Sequence, residues 1–351
     1  MAGPPLSDRE QDVLRLLVQR FVETAGPVGS RTLVKRYGMD ISPASVRNTM
    51  SDLQDMGYLD HPYTSAGRVP TELGYRTFVD ELMETPELSS DEKQALKLHI
   101  QQLIQNDTDE LLRESSRLLG RLTNLLGVAL SPSLSSGVLE RLDIVPLAST
   151  RLMFVLSVRG GLVKTIVLEF EADVKRSTLD RLVSILNERL AGLTLEEIRQ
   201  THEERVRDIR DETGIVRLIL DKSALLFSDT TEPRVRYGGA QNILTQPEFQ
   251  EPGEVRQLME IIEDEGFVVQ WIEDLFEGQP DNIGEALVRI GSENSNEEVE
   301  QYSLVLSPYQ LGDTFGTLGV IGPTRMQYGR VVALVEKMAE ELNQPSSDDA
   351  P

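Results

Sequence analysis

The residues best equipped for chemistry lie in one short stretch, "SPASVRNTMSDLQDMGYL" from Ser42 to Leu59, where Arg47 and Asn48 stand side by side among serines. A side-chain amide carries an acceptor and a donor together and matches the exposed edge of adenine, while a guanidinium reaches guanine or a phosphate. Serine hydroxyls at a helix start, helped by the free amides there, contact phosphate oxygens. At 100° per residue, Val46, Met50 and Leu53 share one helix face. Ala44, Asn48, Ser51 and Asp55 lie opposite, with Ser45, Arg47 and Asp52 on the flanks. Small side chains there let a helix approach base edges. Asp52 and Asp55 would be repelled by a phosphate backbone, so they belong at the exit side, on a cytosine amine, or with another side chain. A plain solvated face has the same pattern, and the helix alone leaves both readings open.

The elements that must hold this helix are marked in the sequence. Ser42 is a suitable N-cap, Pro43 fits the first helical position, and Gly57 suits the C-terminal cap. Upstream, Ser7 and Glu10 have capping-box spacing, and Val13, Leu14, Leu16, Leu17, Phe21 and Val22 make an apolar stripe through about residue 24. "AGPVGS" interrupts it, and a second helix is expected from Ser30 to Tyr37, capped by Ser30 and closed at Gly38. After the quoted helix, "YLDHPYTSAGRVP" reads as strand, turn, strand, and Thr71 starts a helix carrying Tyr75, Phe78, Val79 and Leu82. Three helices and a small hairpin are the order of a winged helix-turn-helix. Arg68 then sits beside a wing tip at Thr64 to Gly67, within reach of a minor groove or a phosphate. Arg31, Lys35 and Arg36 lie on or beside the bracing helix, and Arg76 is a further candidate contact. The expected DNA-contacting set is Arg31, Lys35, Ser42, Ala44, Ser45, Arg47, Asn48, Ser51, Arg68 and Arg76.

Composition narrows the alternatives. The 351 residues contain no cysteine and three histidines, which excludes thiolate metal sites and cysteine nucleophiles and argues against a histidine-rich metal site. "GGAQN" and "GVIGPTRM" do not match either phosphate-loop pattern, and His61, His99 and His202 have no acid–nucleophile arrangement nearby. No enzyme, metal or cofactor is therefore expected. "MAGPPLSDREQDV" lacks a basic stretch followed by an apolar one, and no apolar run reaches membrane-spanning length, so a cytoplasmic protein is expected. The formal net charge of −23 is uneven: residues 1 to 84 hold nine Lys/Arg and twelve Asp/Glu, the remainder 26 and 46. A DNA reader with this balance must rely on placement of its cations rather than on bulk charge.

Beyond a looser stretch at "ETPELSSDEKQ", a helical segment is expected over about 91 to 127, possibly interrupted. Its stripe of Leu111, Ser115, Leu118, Leu122 and Leu125, widened by Leu112, Leu119 and Leu126, suits packing along another helix, including a second subunit's, or along its own domain. "RLMFVLSVRGGLVKTIVLEF" reads as a hairpin turning at Arg159-Gly160-Gly161. Two or three helices are expected over 174 to 213, then a mixed region and a helix between Pro252 and Glu265. Strands follow in "EALVRIG", "EQYSLVLSPY" and "GTLGVIGP", then an amphipathic helix from about Arg325 to Leu342. This is a multidomain α+β pattern.

Taken together, "GPVGSRTL" at 26 to 33, "SPASVRNTMSDLQDMGYL", "HPYTSAGRVPTELGYRTFVDEL" at 61 to 82, "GGAQNIL" at 238 to 244, "IGSEN" at 290 to 294 and "GTLGVIGPTRMQYGRVVALVE" at 316 to 336 closely resemble the bacterial heat-inducible transcription repressor family HrcA. The resemblance implies a winged-helix DNA-binding domain at 1–84, a linker and long helical segment at 85–127, and a GAF-like α/β domain at 128–343. That domain would be interrupted by a dimerisation insertion within about 190–270, and 344–351 would be a flexible tail. It also implies a homodimer that represses chaperonin and chaperone operons at the CIRCE inverted-repeat operator, is released on heat stress, and is modulated by the GroEL/GroES chaperonin. A metabolite-responsive DNA-binding regulator, sensing through the GAF-like domain, is the alternative expectation.

Overall fold

In the computed structural model, residues 3–62, 67–103, 108–134, 137–148, 150–159, 162–170, 175–211, 213–227, 234–276, 282–311 and 314–343 are described. The described residues form two compact units: those within Met1–Leu130, Val235–Pro308 and Thr317–Gln344 make the first, and those within Ser131–Arg234 and Tyr309–Gly316 the second.

The first unit opens with a helical head: α1 (Asp8–Thr24), α2 (Ser30–Tyr37), α3 (Pro43–Asp55), the two-residue strands β1 (Leu59–Asp60) and β2 (Val69–Pro70), and α4 (Glu72–Thr77), which widens into a π turn over Phe78–Leu82. Local chemistry sets these boundaries. Glu10 reaches back to accept from the amide and hydroxyl of Ser7, at 2.7 and 2.6 Å. Ser42 Oγ accepts from the Ser45 amide at 3.1 Å, with Pro43 following. Thr71 Oγ1 accepts from the Gly74 amide at 3.1 Å. The cap of α2 is Gly29 rather than Ser30, which is the first helical residue and is nearly buried. Val13, Leu14, Leu17 and Val18 of α1 pack with Leu33, Val46, Met50, Leu53, Tyr58 and Tyr75 as the head's core.

The body continues with α5 (Ser90–Leu103), α6 (Thr108–Thr123) and β3 (Leu126–Leu130). The stretch that reads as a linker is tied down. Leu88 is buried, and Glu92 accepts from the Ser89 amide and from Arg330, which together hold its carboxyl at about 2. The helix expected to reach residue 127 ends at Thr123, and Asn124 turns left-handed at φ +57°. Leu125 and Leu126 therefore leave the helical stripe, and Leu126–Leu130 becomes a strand buried along its whole length. A central strand covered on both faces reads as an unbroken apolar run, which periodicity cannot distinguish from a buried helix.

Three strands of the second unit, β4 (Leu139–Ala148), β5 (Arg151–Val158) and β6 (Leu162–Glu169), form an antiparallel sheet in that order. Gly160 and Gly161, the expected hairpin turn, lie outside the described residues. Leu142, Ile144, Phe154, Leu156, Ile166 and Leu168 turn inward onto α7 (Arg176–Leu190), α8 (Leu195–Val206), α9 (Ile215–Asp221) and α10 (Ser223–Leu226). Asn187 fixes α7 against the sheet, accepting from the Leu142 amide at 2.8 Å and donating to its carbonyl at 2.7 Å. Alternation leaves Val145, Val163 and Val167 on the outer face, 40, 59 and 47% exposed.

The chain then returns to the first unit through β7 (Val235–Gly238), α11 (Ala240–Ile243), α12 (Pro252–Glu263), α13 (Glu265–Glu273), β8 (Leu287–Ile290), β9 (Tyr302–Leu311), β10 (Thr314–Pro323) and α14 (Tyr328–Leu342). The five-stranded sheet runs β7-β3-β10-β9-β8. The compact excursion thus begins near residue 131, well before the expected 190–270 window, and ends near 234, inside it. The β5–β6 hairpin belongs to the excursion's own core, a membership that strand periodicity does not reveal.

Helix α6 packs against this same unit's sheet. A Cβ on Gly127 would overlap the Ser116 carbonyl, one on Gly120 the Gly238 carbonyl, and one on Gly238 the Arg117 backbone. Backbones meet here without intervening side chains. Leu111, Leu112, Ser115, Ser116 and Leu119 are buried, whereas Leu118 and Leu122 are only half-buried. Among the described residues, no helix is long and apolar enough to cross a membrane.

Candidate nucleic-acid interface

Helix α3 sorts its side chains sharply. Val46, Thr49, Met50 and Leu53 are buried in the head. Ser42, Ala44, Arg47, Asn48, Ser51, Asp52 and Asp55 are exposed, and Ser45 is half-buried. Thr49 was not legible as a core residue; its hydroxyl is satisfied by donating to the Ser45 carbonyl at 3.3 Å, the back-bond that lets threonine be buried in a helix. Ser42 and Ser45 hydroxyls lie 3.0 Å apart at the helix start, beside the Ala44 amide, since Pro43 has no N–H and the Ser45 amide already donates to Ser42.

Charge is distributed selectively on this head. Arg15 pairs with Asp12, Arg20 with Glu23 and Arg76 with Asp80. Among the described residues, the exposed Arg31, Lys35 and Arg36 of α2 and Arg47 of α3 have no carboxylate partner. Arg9 of α1 is also exposed without an ion pair among the described residues, so α2 and α3 carry four of the head's unneutralised cations rather than all of them.

The ribbon adds Arg68. Its backbone exchanges hydrogen bonds with Val28, both at 2.9 Å, so the ribbon is anchored to the loop between α1 and α2. A Cβ on Gly67 would overlap the Val28 carbonyl, so only glycine permits this approach. The Arg68 side chain is half-buried, and its Nε lacks a partner among the described residues. The expected tip from Thr64 to Ala66 lies outside the described residues.

Arg76 is placed differently from the other candidates. Its Nε and Nη2 donate to Asp80 at 3.0 and 2.6 Å, and its Nη1 to the Val288 carbonyl and Glu293 at 3.0 and 3.1 Å. A guanidinium that spends four of its five N–H donors on its own protein has at most one Nη2 hydrogen left for a phosphate. Sequence position suggested a DNA contact, because the carboxylate that claims it lies 217 residues further on.

Residues 109–332 match the family model described as the HrcA protein C terminal domain. The heat-inducible transcription repressor HrcA of Chlorobium phaeobacteroides strain BS1 is 40% identical over 96% of this chain and 97% of its own length. That of Prosthecochloris aestuarii is 39% identical over 98% of each. The chain belongs to the HrcA family. A crystal structure of a hypothetical protein, 22% identical, superimposes over 99% of this chain and 100% of its own with a TM-score of 0.62, which supports a shared fold.

The distant HrcA motifs converge where the head meets the body. "IGSEN" receives α4: the Ser292 amide and hydroxyl donate to Glu72 at 3.1 and 2.5 Å, and Glu293 accepts from Arg76. "GPTR" receives α1: Arg325 donates to the Val22 carbonyl at 2.8 Å while it grips Glu248 at 2.6 and 3.0 Å and Gln246 at 3.0 Å. Between them, the Tyr75 and Tyr328 rings lie 6.0 Å apart. Burial, reinforced by the neighbouring Tyr328, pushes the Tyr75 phenol well above its usual range, so it stays neutral. "GGAQN" serves α6, with Asn242 donating to the Gly120 carbonyl at 2.9 Å. These seating residues were missed by sequence reasoning, although their motifs were visible as runs without an assigned task. Among the described residues, no cluster of His, Asp or Glu could hold a metal ion.

Proposed function

We propose that this chain is a heat-shock transcription repressor whose head is a winged helix-turn-helix. The observation that carries the reading is the exposed set of Arg31, Lys35 and Arg36 on α2 and Arg47 beside Asn48 on α3, without carboxylate partners among the described residues, on a protein whose net charge is −23. Helix α3 enters the major groove with Ala44, Asn48 and Ser51 toward base edges, Arg47 reaches guanine or phosphate, and Ser42 and Ser45 hold phosphate at the helix start. Helix α2 braces the backbone through Arg31 and Lys35, and Arg68 serves the wing. Arg76 has no part in the contact. The curated relatives bear the name heat-inducible transcription repressor, and the family resemblance supplies the CIRCE inverted repeat as the operator.

An inverted repeat calls for two heads related by a twofold axis. The outer sheet face of the second unit supports a homodimer: Val145, Met153 and Val167 form one cross-strand row, flanked by Val155 and Val163. An exposed apolar sheet face of this kind marks an association surface. The five-stranded sheet with its covering helices is then the GAF-like body. Heat releases the operator by opening this assembly, and the GroEL/GroES chaperonin restores the folded dimer. The acidic body keeps nonspecific DNA away, leaving sequence-directed contacts dominant.

Footprinting of the purified protein on CIRCE and scrambled duplexes, with its mass measured in parallel, tests the reading. Two symmetric protected arms under a dimer are expected. Asn48→Ala should lose about 1–3 kcal/mol on the operator and far less on scrambled DNA. Equal losses on both duplexes, or no protection by the folded dimer, would overturn it.

A further inference from the structure

On the first unit, a cleft of about 420 Å³ opens between α13 and the 290–296 turn. Its wall includes Phe267, Trp271, Asp274, Arg289, Glu293 and Asn294. Three wall residues carry buried polar atoms with no hydrogen-bond partner among the described residues: Trp271 Nε1, Arg289 Nε and Asn294 Oδ1. Native proteins rarely leave such atoms unpaired, and when they do a missing ligand is one of the few explanations.

The orientation of Asn294 is fixed by its surroundings. The residue is 5% exposed, and its Nδ2 donates to the Gly291 and Tyr302 carbonyls at 2.8 and 2.9 Å. A flipped amide would set oxygen against two carbonyl oxygens, so Oδ1 is the atom left over and it accepts. Trp271 Nε1 and Arg289 Nε are donors only. Among the described residues, Arg289 has no ion-pair partner, while Glu293 is already held by Arg76 and Asp274 is exposed without one.

This set discriminates between ligand chemistries. An inorganic anion would satisfy the two donors but leave Asn294 Oδ1 unpaired and face two carboxylates. A simple cation would suit Asp274 and Asn294 but meet Arg289 and leave both donors unanswered. A molecule carrying a carboxylate and an ammonium answers all of them at once. Phe267 and Trp271, with ring centroids 6.1 Å apart, offer an apolar wall beside the polar groups. The cleft volume lies in the range of small-molecule sites. We propose that this cleft binds a free α-amino acid, its carboxylate on Arg289 and Trp271 Nε1, its ammonium on Asn294 Oδ1 and Asp274, and its side chain on the aromatic wall.

Trp271 is the chain's single tryptophan, so its emission reports the cleft directly. The full-length protein would be titrated with each of the twenty common L-amino acids at millimolar concentration, following Trp271 emission and heat of binding. Inorganic phosphate and methylammonium serve as the single-charge probes. At least one amino acid should give a saturable change in both signals, with no response to either single-charge probe. Arg289→Gln should weaken that binding by about tenfold or more, the scale of one charged hydrogen bond. Should that variant fail to fold, Asp274→Asn, at an exposed position, should weaken it likewise. The proposal fails if no amino acid binds, if phosphate or methylammonium binds as tightly, or if a folded variant binds like the parent chain.

Discussion

Arg325→Ala offers the sharpest test of how the head is held. The Arg325 side chain is 11% exposed and that of its partner Glu248 34%. The fork makes two bonds to Glu248, one to Gln246 and one to the Val22 carbonyl, between 2.6 and 3.0 Å. Truncation strands the Glu248 charge and a main-chain acceptor of α1 together. Breaking a fully buried pair costs about 3–5 kcal/mol. Water reaching Glu248 recovers part of that, which leaves an expected loss of about 2–3 kcal/mol, or roughly 30- to 150-fold in the folding equilibrium. Urea unfolding of the full-length chain, followed by Trp271 emission from the same unit, reads this loss. With a denaturant slope of about 2–3 kcal/mol/M, the midpoint should fall by about 1 M. Arg325→Lys keeps the charge but not the fork and should recover less than half of the loss. A midpoint within about 0.2 M of the parent protein's, at unchanged slope, would show that these hydrogen bonds do not seat the head.

Three further outcomes follow from the geometry. Arg68→Ala should weaken binding to every duplex alike and reduce the salt slope by about one if its guanidinium meets a phosphate; an unchanged slope in a salt titration removes it from the interface. Gly238→Ala forces a Cβ into the Arg117 backbone and should destabilise by at least about 1–3 kcal/mol in a thermal scan, whereas Gly253→Ala, with open space around it, should stay within about 0.5 kcal/mol of the parent. Val163→Asp combined with Val167→Asp should shift the sedimenting species to monomer without loss of helical signal, and an unchanged dimer mass would place the association surface elsewhere.

What the sequence showed plainly was local. Ser42, Pro43 and the Val46–Met50–Leu53 spacing defined α3 and its exposed face, because caps and helical periodicity act within a few residues. What it hid was nonlocal. Arg76 looked like a free cation until Glu293 and Val288 were found beside it. Leu125 and Leu126 fitted a leucine stripe, yet a left-handed turn at Asn124 took both out of the helix and made Leu126 the first residue of the interior strand β3. Helix α13 went unread because "EGFVVQWIEDLF" is too evenly apolar to show a period; Asp264, which accepts from the Phe267 amide at 3.0 Å, was its one visible start signal. The unpaired atoms of Trp271, Arg289 and Asn294 could not be anticipated at all, since being unpaired is a property of the folded surroundings.

The seat of the head is assembled from opposite ends of the gene. Arg325 follows Val22 by 303 residues and Glu293 follows Arg76 by 217. On a ribosome adding about 5–20 residues per second, the reading helices emerge about 15 to 60 s before the arginine that grips α1. A prematurely terminated chain therefore has a reader without its mounting. During that interval the nascent head is exposed to whatever holding factor meets it first, so the supply of such factors bears on how many complete molecules result.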